Sequence, residues 1–164
     1  MKTKYPNTQA PDHRKKVPVE DFEAADSIRE EEEFWANGDD SESGALHDDS
    51  INGQPYDLEE RTARFGEAII RFAKKIPRGP GNNRLIDQLV GAATSVGANY
   101  CEADDGVSRK DFKNKIGTCR KEARETKFFL RMLAAAEPSL KAEARILWQE
   151  AKELHLIFSR IWRK

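Results

Sequence analysis

The chain has 164 residues, a formal net charge of −1, 35% charged and 38% hydrophobic residues, and two cysteines, Cys101 and Cys119. No stretch approaches the ~18 consecutive apolar residues of a membrane span, and Met1 to Lys16 lacks the apolar core of a secretory signal, so a reduced cytoplasmic setting without membrane contact is expected. The near-neutral total hides a division: residues 1–55 hold 6 Lys and Arg against 14 Asp and Glu, and residues 56–164 hold 22 against 15, so a segment at −8 precedes one at +7.

Residues 1–55 read as an acidic, largely disordered tail. Asp39 to Gln54 is rich in Asp, Ser, Gly and Asn, with too few large apolar side chains to offset the entropy of ordering it. Val19 to Trp35 is expected to form a short acidic helix, transient and solvated, in which Phe22, Ile28, Phe34 and Trp35 surround the run Glu30 to Glu33. A sharper alternative has these aromatics and carboxylates dock on a basic partner, this chain's own basic half included; deleting residues 1–55 is then expected to raise nucleic-acid affinity.

Residues 56–164 carry four apolar seams, each stepping alternately by four and three residues. The first is Leu58, Thr62, Phe65, Ile69, Phe72 and Ile76; the second is Leu85, Leu89, Ala92, Val96, Asn99 and Ala103. Phe112, Ile116, Cys119, Ala123, Thr126, Leu130 and Leu133 make the third, and Leu140, Ala144, Leu147, Ala151, Leu154, Phe158 and Ile161 the fourth. The average step of ~3.5 residues keeps each set on one helical face, which must find an apolar partner. Asp57 followed by Glu60 predicts a capped start near Leu58. Pro77 to Gly81 interrupts the pattern, placing the second start at Asn82 or Asn83. Asp105-Gly106 turns the chain after Asp104, Ser108 with Asp111 caps a third helix running to about Ala136, and Pro138-Ser139 separates it from the fourth. Such short connections predict an all-α, antiparallel, up-down-up-down four-helix bundle.

Enzymatic readings fare poorly, and neither catalytic residues nor a cofactor is expected. A di-iron site needs two Glu-x-x-His pairs; Glu102, Glu122 and Glu125 are at hand, but His155 is the bundle's sole histidine and Lys152 stands three residues before it. Cys101 and Cys119 lack an activating pair of histidines, and Cys119 falls on an apolar seam, where a thiol behaves as a small hydrophobe. Gly79-Pro80-Gly81 lacks the Lys-Ser/Thr of a phosphate loop.

Helix two is rich in small residues, Gly91, Ala92, Ala93, Ser95, Gly97 and Ala98, which permit close helix approach either within the monomer or between subunits. Ser95, Asn99 and Glu102 share a face and are expected to form a structural polar network. On helix three, Lys113, Arg120, Arg124, Lys127 and Arg131 recur one residue after the apolar seam and form a basic stripe. A solvated, salt-bridged face is one explanation; attraction of a nucleic-acid backbone is the other, which the +7 charge keeps open.

The blocks Ser95-x-x-x-Asn99-x-x-Glu102-Ala103, Ser108-x-Lys110-Asp111-Phe112-x-x-Lys115 and Lys121-Glu122-x-x-Glu125 followed by Leu130 resemble the four-helix-bundle proteins encoded in intervening sequences of 23S ribosomal RNA genes, to which accessory proteins of diversity-generating retroelements are related. The resemblance spans about Tyr56 to Lys164. It implies a non-enzymatic homopentameric ring with a basic surface that binds nucleic acid, RNA in particular, and in the retroelement branch also engages a reverse transcriptase. Ser95, Asn99, Glu102, Lys110, Asp111, Lys115, Lys121, Glu122 and Glu125 match the family pattern. Among them Lys110, Lys115 and Lys121 join the stripe as expected nucleic-acid contacts, while Asp111, Glu122 and Glu125 join Ser95, Asn99 and Glu102 as expected structural or oligomer contacts. The competing reading is an oligomerisation or protein-interaction module that binds no nucleic acid.

Overall fold

The structure, a computed structural model, describes residues 33–36 and 57–164. The chain divides into two units, Met1–Asn37 and Gly38–Lys164. In the first, residues 33–36 form one helical turn, with the Phe34 and Trp35 rings edge to face at 5.0 Å. The rest of the predicted acidic helix, and the predicted disordered linker, lie outside the described residues.

The second unit comprises α1 (Leu58–Ala73), α2 (Pro80–Asp104), α3 (Arg109–Ala136), a 3-10 turn (Pro138–Leu140) and α4 (Lys141–Arg163). It is the antiparallel four-helix bundle that the seams predict, with no strand among the described residues. The caps are as expected: the Asp57 carboxylate accepts from the Glu60 amide at 3.0 Å, and the Ser108 hydroxyl oxygen accepts from the Asp111 amide at 3.1 Å. One boundary differs. Helix α2 begins at Pro80, two residues before the expected Asn82, because the first helical position needs no amide hydrogen and proline's fixed φ suits it.

The apolar seams form the core. Ile69, Phe72, Leu89, Val96, Ile116, Leu130, Leu154 and Phe158 are fully buried, and each also draws in its seam's neighbours, Ile86 and Ala93 on α2 and Trp148 on α4. The buried hydroxyls of Thr62 and Thr126 do not require a cross-helix partner: Thr62 Oγ1 donates to the Leu58 and Glu59 carbonyls, and Thr126 Oγ1 to that of Glu122, satisfying the group one turn back. The glycine-rich face of α2 is used partly inside the bundle. A Cβ on Gly97 would lie 3.4 Å from Thr62 Oγ1, so Gly97 is where α1 and α2 come close. Gly91, by contrast, is exposed, and a Cβ there would meet nothing within 4 Å among the described residues.

Contacts run mainly along α1/α2, α2/α3 and α3/α4, and α1 meets α4 more sparingly. That last edge is closed by ions. Arg61 forks onto Glu150 at 2.6 and 2.8 Å and reaches Glu153 at 2.5 Å, while Lys75 spans both Glu143 oxygens at 2.8 and 3.0 Å. The Arg61–Glu150 pair is partly shielded from solvent, where a charged fork counts for more than at a fully wet surface.

Cys119 lies wholly in the core, and burial pushes its thiol up to about 12. An unfolded chain releases this proton near pH ~8.5. The thiol is therefore neutral in both states below that pH, and stability falls as pH rises from there towards 12, where the native thiol finally ionises. Between pH 8 and 10.5 this term should remove about 2.5 kcal/mol from the wild type, a loss that Cys119→Ala should not show. Urea midpoints of the two proteins at both pH values measure it; parallel declines would contradict it.

Candidate nucleic-acid interface

The side chains of α3 are sorted by helical angle, at about 100° per residue. The face bearing Ile116, Cys119, Ala123, Thr126 and Leu130 is buried. One residue onward, on the side towards α4, run Lys113, Arg120, Arg124, Lys127 and Arg131. The same four-three rhythm leaves one place in that row without a cation, and it is Gly117.

Helix α4 supplies the other wall. Lys141, Arg145, Trp148, Lys152, His155, Ser159 and Trp162 follow the four-three rhythm along its flank facing α3. The two walls interlock through aromatic faces. Lys127 Nζ lies 4.7 Å and Lys152 Nζ 5.3 Å from the ring centre of Trp148; Arg120 Cζ lies 4.4 Å and Lys113 Nζ 5.4 Å from that of Trp162. The indole of Trp162 occupies the gap at Gly117, where a Cβ would stand 3.2 Å from its Nε1. A cation over an aromatic face contributes about 0.5–1 kcal/mol at exposed sites. It also holds long side chains in one row.

The carboxylates of these helices point elsewhere. Glu143, Glu150 and Glu153 of α4 are engaged with Lys75 and Arg61 on the opposite side. On α3, Glu122 and Glu125 lie on the flank away from α4; burial, then the adjacent Glu125 carboxylate, raises the Glu122 carboxyl above its ordinary value. The α3/α4 groove is thereby lined by basic groups over one buried indole, Trp148, and one partly exposed, Trp162, a juxtaposition suited to polyanions.

The other residues singled out in the sequence fall outside this groove. Lys115 faces α2 and pairs with Glu102, whose carboxylate holds the ammonium above its usual range. Lys121 approaches Glu125 at 3.8 Å, and Lys110 is exposed in the first turn of α3. In the predicted polar network, Asn99 Nδ2 donates to the Ser95 carbonyl at 2.9 Å and Glu102 reaches across to α3. Asp111 contributes its backbone amide to the Ser108 cap. The α4 wall was not anticipated from the sequence, although its signal was there: Lys141 to Trp162 keep the seam's own spacing, displaced by one position from Leu140, Ala144 and Leu147.

A four-helix bundle whose third and fourth helices meet along a row of basic residues over tryptophans is the class of protein that fold and site define. The family model for the 23S rRNA-intervening sequence protein matches residues 56–160, and the chain belongs to that family. A crystal structure of a protein of unknown function from the S23 ribosomal protein family of Bacteroides thetaiotaomicron VPI-5482 is similar in fold, with a TM-score of 0.58 and 24% identity over 65% of this chain and 98% of that one. No curated protein matches the chain. No helix among the described residues is long and apolar enough to cross a membrane.

Proposed function

We propose that the bundle is a non-enzymatic RNA-binding accessory protein that works as a homo-oligomeric ring, a pentamer by resemblance to its family, in the cytoplasm. One observation carries the reading: Lys113 and Arg120 of α3 stand over Trp162 of α4, and Lys127 with Lys152 over Trp148, with Arg124 and Arg131 in the same row by helical angle and Glu143, Glu150 and Glu153 of α4 paired with α1. The family's link to ribosomal RNA genes favours RNA as the polyanion, and the relation to retroelement accessories adds a reverse transcriptase as a protein partner. Recognition would be of charge and shape, since no base-reading motif accompanies the groove.

The test is filter binding of the full chain to RNA over a salt series. Neutralising Z phosphates of a single strand gives a log-log slope of about −0.7Z, so five engaged cations predict a slope near about −3.5. A flat response, or no binding at low salt, rejects the reading. It would then favour the oligomerisation module, for which the exposed, uncrowded Gly91 and the exposed Ala98 on α2 speak. Light scattering tests the ring, which a clean monomer would contradict.

A further inference from the structure

Beyond the charged groove, its end at the start of α3 and the close of α4 holds a cavity of about 300 Å³. Phe112, Ile116, Ile161 and Trp162 line it together with Arg109, Lys113 and Lys164. Arg109 Nη2 donates to the Lys164 carbonyl at 3.1 Å, tying the two helix ends together beside it. Trp162 keeps 37% of its surface exposed although it packs on Gly117. We infer that this cavity takes one unpaired nucleobase of a single-stranded RNA, stacked among the Trp162 and Phe112 rings, with the flanking phosphates on Arg109 and Lys113. The inference rests on the RNA-binding reading and deepens it.

The chemistry favours a base over other occupants. The cavity is small for a ligand pocket, and its walls offer aromatic and aliphatic surface beside the basic side chains of Arg109, Lys113 and Lys164, which fits a flat, weakly polar ring attached to an anion. A duplex cannot use it, because its bases are stacked inward, whereas the bases of a single strand can be splayed out onto aromatic side chains. Its position at the mouth of the basic groove gives the adjoining backbone a continuous electropositive path through Arg120, Arg124 and Lys127.

The experiment compares three probes on the full chain at one salt concentration: a 12-nucleotide single-stranded RNA, the same ribose-phosphate backbone without bases, and a blunt RNA duplex of equal length. Stacking of one base predicts that the intact strand binds about tenfold tighter than the abasic one. Trp162→Ala should abolish that preference, read as the ratio of intact to abasic affinity within the variant so that any loosening of Arg120 and Lys113 affects both strands alike, and Trp162→Phe should retain most of it. Equal binding of intact and abasic strands, or a preference that survives in Trp162→Ala, overturns the cavity assignment and leaves the RNA-binding reading standing. Failure of all three probes to bind overturns both. A change of oligomeric state in Trp162→Ala, seen by light scattering, would make the cavity a contact between copies of the chain and overturn the assignment as well.

Discussion

Replacing Arg120, Arg124 and Lys127 together with glutamate is expected to lower RNA affinity by roughly a hundredfold or more at low salt and to flatten the salt dependence by about two units of slope. The reversal places three carboxylates in the row that otherwise presents cations to the groove, so attraction becomes repulsion at neighbouring phosphates. Stability should change far less. Arg120 and Lys127 lose their places over Trp162 and Trp148, at about 0.5–1 kcal/mol each, and Arg124 is exposed. Circular dichroism should therefore show unaltered helix content while filter binding shows the loss. The matched control is Lys110→Glu with Lys121→Glu, which adds negative charge to α3 outside the groove and should have the smaller effect. Undiminished binding by the triple variant would move the interface off this groove.

The largest loss of stability is expected from Phe158→Ala. Phe158 is fully buried on α4, with the ring of Tyr100 from α2 at 5.8 Å across the interior, so truncation opens a cavity that helices anchored on two sides cannot readily close. A cost of about 3–5 kcal/mol follows, a large share of the ~5–15 kcal/mol that keeps an ordinary domain folded. Guanidinium or urea unfolding measures it. Leu156→Ala, at a side chain 56% exposed, should stay within about 0.5 kcal/mol. Comparable losses at both positions would mean that the seam at Phe158 is not the packed centre described here.

The sequence made the bundle legible because burial on a helix repeats with the helix's own period. Ile69, Leu89, Ile116 and Leu154 announce their burial by spacing alone, and Asp57 and Ser108 mark starts through chemistry confined to four residues. Pro80 misled by two positions because its meaning depends on whether a helix lies before or after it. The basic stripe on α3 was visible for the same periodic reason, yet its environment was not. Whether Lys115 faces RNA or Glu102 depends on which neighbouring helix its flank meets, and that is settled by the packing of α2 against α3. Trp148 and Trp162 were hidden among the charged residues of α4, and the room that Gly117 leaves for an indole shows only once α4 is packed against it.

The Arg61 fork and the Lys75 clasp have a consequence beyond fastening α1. Glu143, Glu150 and Glu153 stand by helical angle on the flank of α4 that meets α1, and pairing there offsets three negative charges whose field would otherwise reach the surface shared with α3. The electrostatic sign of that surface is thus governed at a distance, by a helix that forms neither of its walls. Substituting Arg61 or Lys75 would leave those acids unneutralised, adding to the negative field a polyanion meets without altering any residue that touches it.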